Sequence, residues 1–83
     1  VSEAKFQAKL IKQYESDGWY VIRLITTNKN GIPDLLCLHK DRTPMFVEVK
    51  ASNGKLGTLQ EYRIGELKSK GFDAIVEYEP KKK

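Results

Sequence analysis

The 83-residue sequence contains one cysteine, one histidine and three prolines, and each scarcity removes a class of protein. A lone Cys37 cannot close an internal disulfide or build a cysteine-rich zinc site, and it suits a reducing, intracellular setting. No apolar run approaches the roughly 20 residues of a membrane helix, so no membrane partner is expected. The opening Val1-Ser2-Glu3-Ala4-Lys5 carries no signal-peptide pattern, and a start at Val1 reads as a trimmed end. Repeats are lacking, and the only biased tract is Lys81-Lys82-Lys83. What remains is an ordinary globular mixture, 40% hydrophobic and 31% charged. Its net charge of +4 favours phosphate-bearing partners, but three of the positive charges sit in the terminal lysine run. Charge alone therefore does not decide for nucleic acid. A chain this short is expected to form a single domain over 1–83, its core compact or completed by a partner.

Hydrophobic periodicity divides the chain into alternating elements. Phe6, Leu10, Ile11 and Tyr14 recur at helical spacing from Ser2 to about Glu15, with Lys5, Lys9 and Lys12 at the other positions. Ser2 is the expected cap, and Gly18 follows the helix end. Trp19 to Ile25 is rich in β-branched and aromatic residues and predicts a strand, followed by a polar loop to Pro33. Two apolar runs, Leu35 to His39 and Met45 to Val49, flank Lys40-Asp41-Arg42-Thr43-Pro44 and read as a hairpin. After a glycine-containing loop over 51–57, Thr58 with Glu61 three residues on predicts a capping box. It opens a helix to about Lys70, with Gly71 as a left-handed stop. Ala74 to Tyr78 predicts a last strand. The order is α-β-β-β-α-β, an α/β fold with a mixed sheet flanked by helices.

Folding the hairpin gives its polar residues a meaning. If Asp34 pairs opposite Glu48, the midpoint is Asp41, inside the charged turn where the chain should reverse. Residues directly opposite in an antiparallel pair share a face, within roughly 5.5 Å. Lys50 alternates onto that face too, whereas a register slip of one residue would separate the carboxylates. Two acids so close repel unless a positive charge intervenes. A divalent cation fits, because Mg²⁺ takes carboxylates, waters and substrate phosphates. Such an ion polarises phosphate and acidifies a bound water, which is the chemistry of phosphodiester hydrolysis. Lys50 would help activate the water and stabilise developing negative charge. Val49 can offer only its carbonyl.

Pro33-Asp34 followed by Glu48-Val49-Lys50 resembles the PD-(D/E)xK nuclease motif. The longer pattern Gly31-x-Pro33-Asp34-Leu35, Glu48-x-Lys50, Gly54-x-Leu56 and Gln60 resembles the virus-type replication-repair nuclease (VRR-NUC) branch, over nearly the whole chain. The resemblance implies a restriction-endonuclease-like core and a deoxyribonuclease using Mg²⁺ or Mn²⁺. It implies that Asp34, Glu48 and the Val49 carbonyl hold the metal, with Lys50 as the catalytic lysine. It further implies that Glu3 on the first helix completes the site, although an acid in a helix's first turn is also favoured by the dipole alone. Gln60 would orient the lysine, water or phosphate. Small stand-alone members resemble Holliday-junction resolvases, which implies a homodimer acting on branched DNA.

The remaining residues receive plainer roles. His39 falls at the hairpin turn, away from the carboxylates, so a histidine-based site is not expected. Cys37 alternates away from Asp34 and reads as core. Tyr14, Trp19, Tyr20 and Tyr62 read as core or dimer surface, since a thin two-layer sheet leaves apolar area for a two-fold partner. Lys29, Arg42, Lys55 and Arg63 are placed to flank the site, with Lys55 a candidate phosphate contact. The competing expectation is a branched-DNA-binding module of the same fold that does not cleave. A restriction-type double-strand cutter shares the site but usually needs more recognition structure than this length holds.

Overall fold

Phe6 and Leu10, one helical turn apart, are the residues that the first helix buries, and they decide which face of the sheet it covers. The computed structural model describes residues 3–81, so Ser2, the expected helix cap, and Lys82 and Lys83 of the basic run lie outside the described residues. Its elements are α1 (Glu3–Ser16), β1 (Tyr20–Arg23), β2 (Leu35–His39), β3 (Arg42–Lys50), α2 (Thr58–Ser69) and β4 (Asp73–Tyr78). They form one four-stranded sheet in the order β1-β2-β3-β4. The first three strands are antiparallel and β4 runs parallel to β3. A parallel neighbour needs a crossover, and α2 supplies it. This is the expected αβββαβ core with a mixed sheet. Among the described residues, no helix is long and apolar enough to cross a membrane.

Strand alternation gives the sheet two different faces. Leu35, Cys37, Val47 and Val49 are completely buried and form one cluster with Phe6 and Leu10 of α1. Each such side chain contributes about 1.5–3 kcal/mol by leaving water. Cys37 is therefore core, as expected. Tyr14 ties the same helix to the far strand, its hydroxyl donating to Glu77 Oε2 at 2.6 Å. On the opposite face, Ile64 of α2 and Ala74 of β4 are buried, and Phe46 meets Phe72 edge-on with centroids 6.4 Å apart. Tyr20 and Tyr62 lie outside the core, 70% and 59% exposed.

The hairpin has the predicted register. Leu35↔Val47, Leu36↔Phe46 and Cys37↔Met45 are all centred on Asp41, and a bulge shifts the pairing only beyond Cys37, to His39↔Arg42. The turn is shorter than expected, because β3 starts at Arg42 and includes Pro44. Pro44 is tolerated there because its ring nitrogen faces β4, whose pairing begins only at Met45↔Asp73. His39 is not a free turn residue. It packs edge-on against Trp19 at 5.3 Å, and its Nδ1 accepts the Asp41 N–H.

Two details correct the reading of α2. Its cap is Gly57 rather than Thr58, and the residue reaching back to the cap N–H is Gln60, not Glu61. Gly71 is in the left-handed region at φ 93°, as expected for a helix stop. Gly31 has φ 80°, and a Cβ there would lie 2.6 Å from Leu59 Cγ and 3.2 Å from the Leu59 backbone. Gly31→Ala therefore combines left-handed strain with overpacking against α2, an expected loss of about 3 kcal/mol. Urea denaturation monitored by circular dichroism checks this value.

Candidate active site

Continuing the register one step past Leu35↔Val47 puts Asp34 opposite Glu48, and one step further puts Pro33 opposite Val49. The second pairing matters because proline has no N–H. The odd-numbered residues of β3 turn their backbone groups toward β2, so the Val49 carbonyl faces a position that cannot donate to it. The paired register ends at Leu35↔Val47, and beyond it the Val49 N–H is taken by a side chain: Asp34 Oδ2 accepts it at 2.8 Å. Its backbone is held as well, the carbonyl accepting the Leu24 N–H at 2.8 Å.

Glu48 is the one buried charged residue among the described residues, 3% exposed in the strand Phe46-Val47-Glu48-Val49. A lone carboxylate in such a place is costly unless it is paired and hydrogen-bonded. Lys50, two residues along the same face, places Nζ 3.2 Å from Glu48 Oε2. Gln60 donates from Nε2 to the same oxygen at 3.1 Å. The orientation of that amide is fixed from behind, because its Oε1 accepts the Gly57 N–H at 2.9 Å. Gln60 therefore holds Glu48, a contact that the sequence reading, which looked to the lysine, water or phosphate, did not include. In doing so it joins the start of α2 to β3.

The carboxyl of Glu48 is pushed up to about 7, first by burial and then by the negative charge of Asp34; Lys50 opposes the shift and Glu3 adds to it. Glu3 itself sits at the start of α1, on the other side of the sheet. It reaches around the end of β3, its Oε2 accepting the Ala51 N–H at 3.3 Å. The structure therefore brings Glu48, Lys50 and Gln60 into direct contact. Asp34 lies beside them through the Val49 amide, and Glu3 stands at the rim. Among the described residues, no hydrogen bond or ion pair joins Lys29 or Lys55 to Asp34, Glu48, Lys50 or Gln60.

Around Glu48, Asp34 and Glu3 add negative charge and Lys50 positive charge, a balance that disfavours a phosphate. Among the described residues, no three His, Cys, Asp or Glu side chains gather closely enough to hold a metal ion by themselves. The donors still fit a hard divalent cation, which typically takes one or two carboxylates and fills its shell with waters and substrate oxygens. The chain offers the Asp34 and Glu48 carboxylates and a Val49 carbonyl without a β2 donor. Sequence reasoning missed the role of Pro33 opposite Val49, although the hairpin midpoint already implied it. It also missed the link from Gln60 to Gly57, which depends on where α2 starts. The sequence profile of the VRR-NUC domain matches residues 3–78. No curated protein and no solved structure matches the chain.

Proposed function

We infer that this chain, which belongs to the VRR-NUC family, is a Mg²⁺- or Mn²⁺-dependent DNA endonuclease that cuts branched DNA as a homodimer. Family membership carries the coarser part of this reading, a nuclease-type function. One observation supports the metal: buried Glu48, with Asp34 and Glu3 adding negative charge and only Lys50 opposing them. A protein that merely bound DNA would gain nothing from acids converging where a phosphate must approach.

In this reading Asp34, Glu48 and the Val49 carbonyl hold the cation. When bound, the cation neutralises phosphate charge and lowers the pKa of a coordinated water. Lys50 supplies positive charge to the attacking water and to the transition-state oxygens, where it counts most in a water-poor site. Gln60 keeps Glu48 from swinging away and fixes which of its oxygens faces Lys50. The homodimer is supported by β1, an edge strand whose Tyr20 is 70% exposed and Ile22 37% exposed, with Ile25 just beyond it at 78%. A second copy covering these side chains would present two sites to the two strands of a junction.

The test is incubation of a labelled four-way junction and a linear duplex of the same sequence with Mg²⁺, with Mn²⁺ and with EDTA. Cleavage is expected in both metals and not in EDTA, with the junction cut faster than the duplex. Binding without cleavage in either metal would replace this reading with that of a DNA-binding module. Equal rates on both substrates would keep the nuclease and remove the preference for branched DNA.

A further inference from the structure

The loop that carries Asp34 into the site is closed at its base, where the Leu24 N–H donates to the Asp34 carbonyl at 2.8 Å and Pro33 is fully buried. Between Ile25 and Asn30 it is exposed, and its side-chain bonds are short-range, such as Thr27 Oγ1 donating to the Lys29 carbonyl at 2.7 Å. Two contacts tie the stretch just before Pro33 to α2. Gly31 lies against Leu59 so tightly that no side chain fits. One residue earlier, Arg63 Nε donates to the Asn30 carbonyl at 2.8 Å.

We propose that Arg63 is a positioning residue for Asp34: it locks the loop bearing Asp34 onto the helix bearing Gln60, so that both side chains converge on Glu48 in one arrangement. The Arg63 side chain is 18% exposed, and its guanidinium is held on three sides. Nε bonds Asn30, NH1 pairs with Glu66 at 3.0 Å, and Cζ lies 5.5 Å from the centre of the Tyr62 ring. The pair with Glu66 alone would be an ordinary intrahelical ion pair of a few tenths of a kcal/mol. The Nε bond leaves the helix and has a different purpose. From Asn30 the chain runs through Gly31, Ile32 and the fully buried, φ-restricted Pro33 to Asp34. So short and stiff a connection carries a displacement at Asn30 directly to the Asp34 carboxylate. Gln60 and Arg63 lie three residues apart, on neighbouring turns of one helix face, so a single rigid body sets Gln60 and the approach of the chain to Asp34.

The inference rests on Asp34 belonging to the metal site, and its main test needs neither metal nor cleavage. The Val49 N–H donates to Asp34 Oδ2, so hydrogen exchange at the Val49 amide reports where that carboxylate is. The Val47 amide, paired with Leu35 in the ladder, is the internal reference. In metal-free protein, Arg63→Ala is expected to lower Val49 protection about tenfold relative to Val47. It should also weaken Mn²⁺ binding, followed by calorimetry, by roughly tenfold or more, as for other residues that orient a ligand. Arg63→Lys places a methylene where Nε stood, while keeping a cation for Glu66. It should retain the wild-type melting temperature and still lose Val49 protection. Glu66→Ala removes the ion pair but not the Nε bond, and should lower the melting temperature slightly without selective exchange at Val49. Val49 protection unchanged in Arg63→Lys, or lost equally in Glu66→Ala, would overturn the proposal. If the wild-type protein cuts no DNA while the exchange pattern holds, the nuclease reading fails and the positioning role stands.

Discussion

Lys50→Ala is expected to reduce DNA cleavage by about 10²–10³-fold under single-turnover conditions, with the fold retained. Lys50 places its ammonium on Glu48 and lies on the face that a phosphate must approach. Alanine removes the charge that would stabilise the transition state while leaving both carboxylates in place. The same change has a second signature. The Glu48 carboxyl already stands near 7 with Lys50 opposing the rise, so loss of the lysine should raise it further. The variant should therefore melt lower than wild type at pH 8 and nearly level with it at pH 6, where Glu48 takes up a proton in both. Cleavage on the junction substrate and thermal melts at the two pH values check the two halves. Undiminished cutting would remove Lys50 from the mechanism.

Glu48→Gln should abolish both metal binding and cleavage while making the metal-free protein more stable at pH 8. The carboxyl is raised from 4.5 to about 7 in the folded state. Folding therefore takes up a proton between those values, and the associated stability is fully present below the unfolded pKa and lost as pH rises through about 7. At pH 8 the folded protein holds an ionised, buried acid at a cost bounded by about 3.5 kcal/mol, from about 1.4 kcal/mol per unit. Glutamine keeps the shape and can still accept the Gln60 Nε2 bond, so it removes most of this cost. Lys50 loses its partner, which offsets part of the gain. A net gain of about 1 kcal/mol would raise the melting temperature by about 4–8 °C in a domain of this size. Adding Mn²⁺ at about 100 times Kd should stabilise wild type by about 2.7 kcal/mol and the variant not at all. A variant melting below wild type at pH 8 would overturn the buried-charge cost, and one still stabilised by Mn²⁺ would remove Glu48 from the metal site.

These two predictions show how unevenly the site was written in the sequence. The carboxylate pair was legible because β-strand alternation and hairpin symmetry depend on sequence spacing alone, and the centre at Asp41 holds for three consecutive pairs. Lys50 followed from alternation for the same reason. Gln60 was singled out by its sequence pattern, but its contact with Glu48 was not. That contact requires α2 to begin at Gly57 and pack over the sheet, and helix starts shift by a residue or two against any local pattern. Thr58 and Glu61 made a plausible capping box, yet the observed start turns them out of it. Glu3 was found at the correct helix end, but its reach to the Ala51 N–H depends on how α1 crosses the far face.

What the sequence determined by itself was therefore local and periodic: the six elements and their order, the hairpin register, and the common face of Asp34, Glu48 and Lys50. Each follows from the geometry of one segment or of two segments joined by a short turn. The tertiary structure decided what long-range packing controls. It buried Glu48 against α2 and raised its carboxyl. It gave the Val49 N–H to the Asp34 carboxylate just past the end of the paired register. It docked the loop before Asp34 through Arg63 and Gly31. Burial and desolvation depend on contacts between residues far apart in the chain, and no spacing within one segment encodes them.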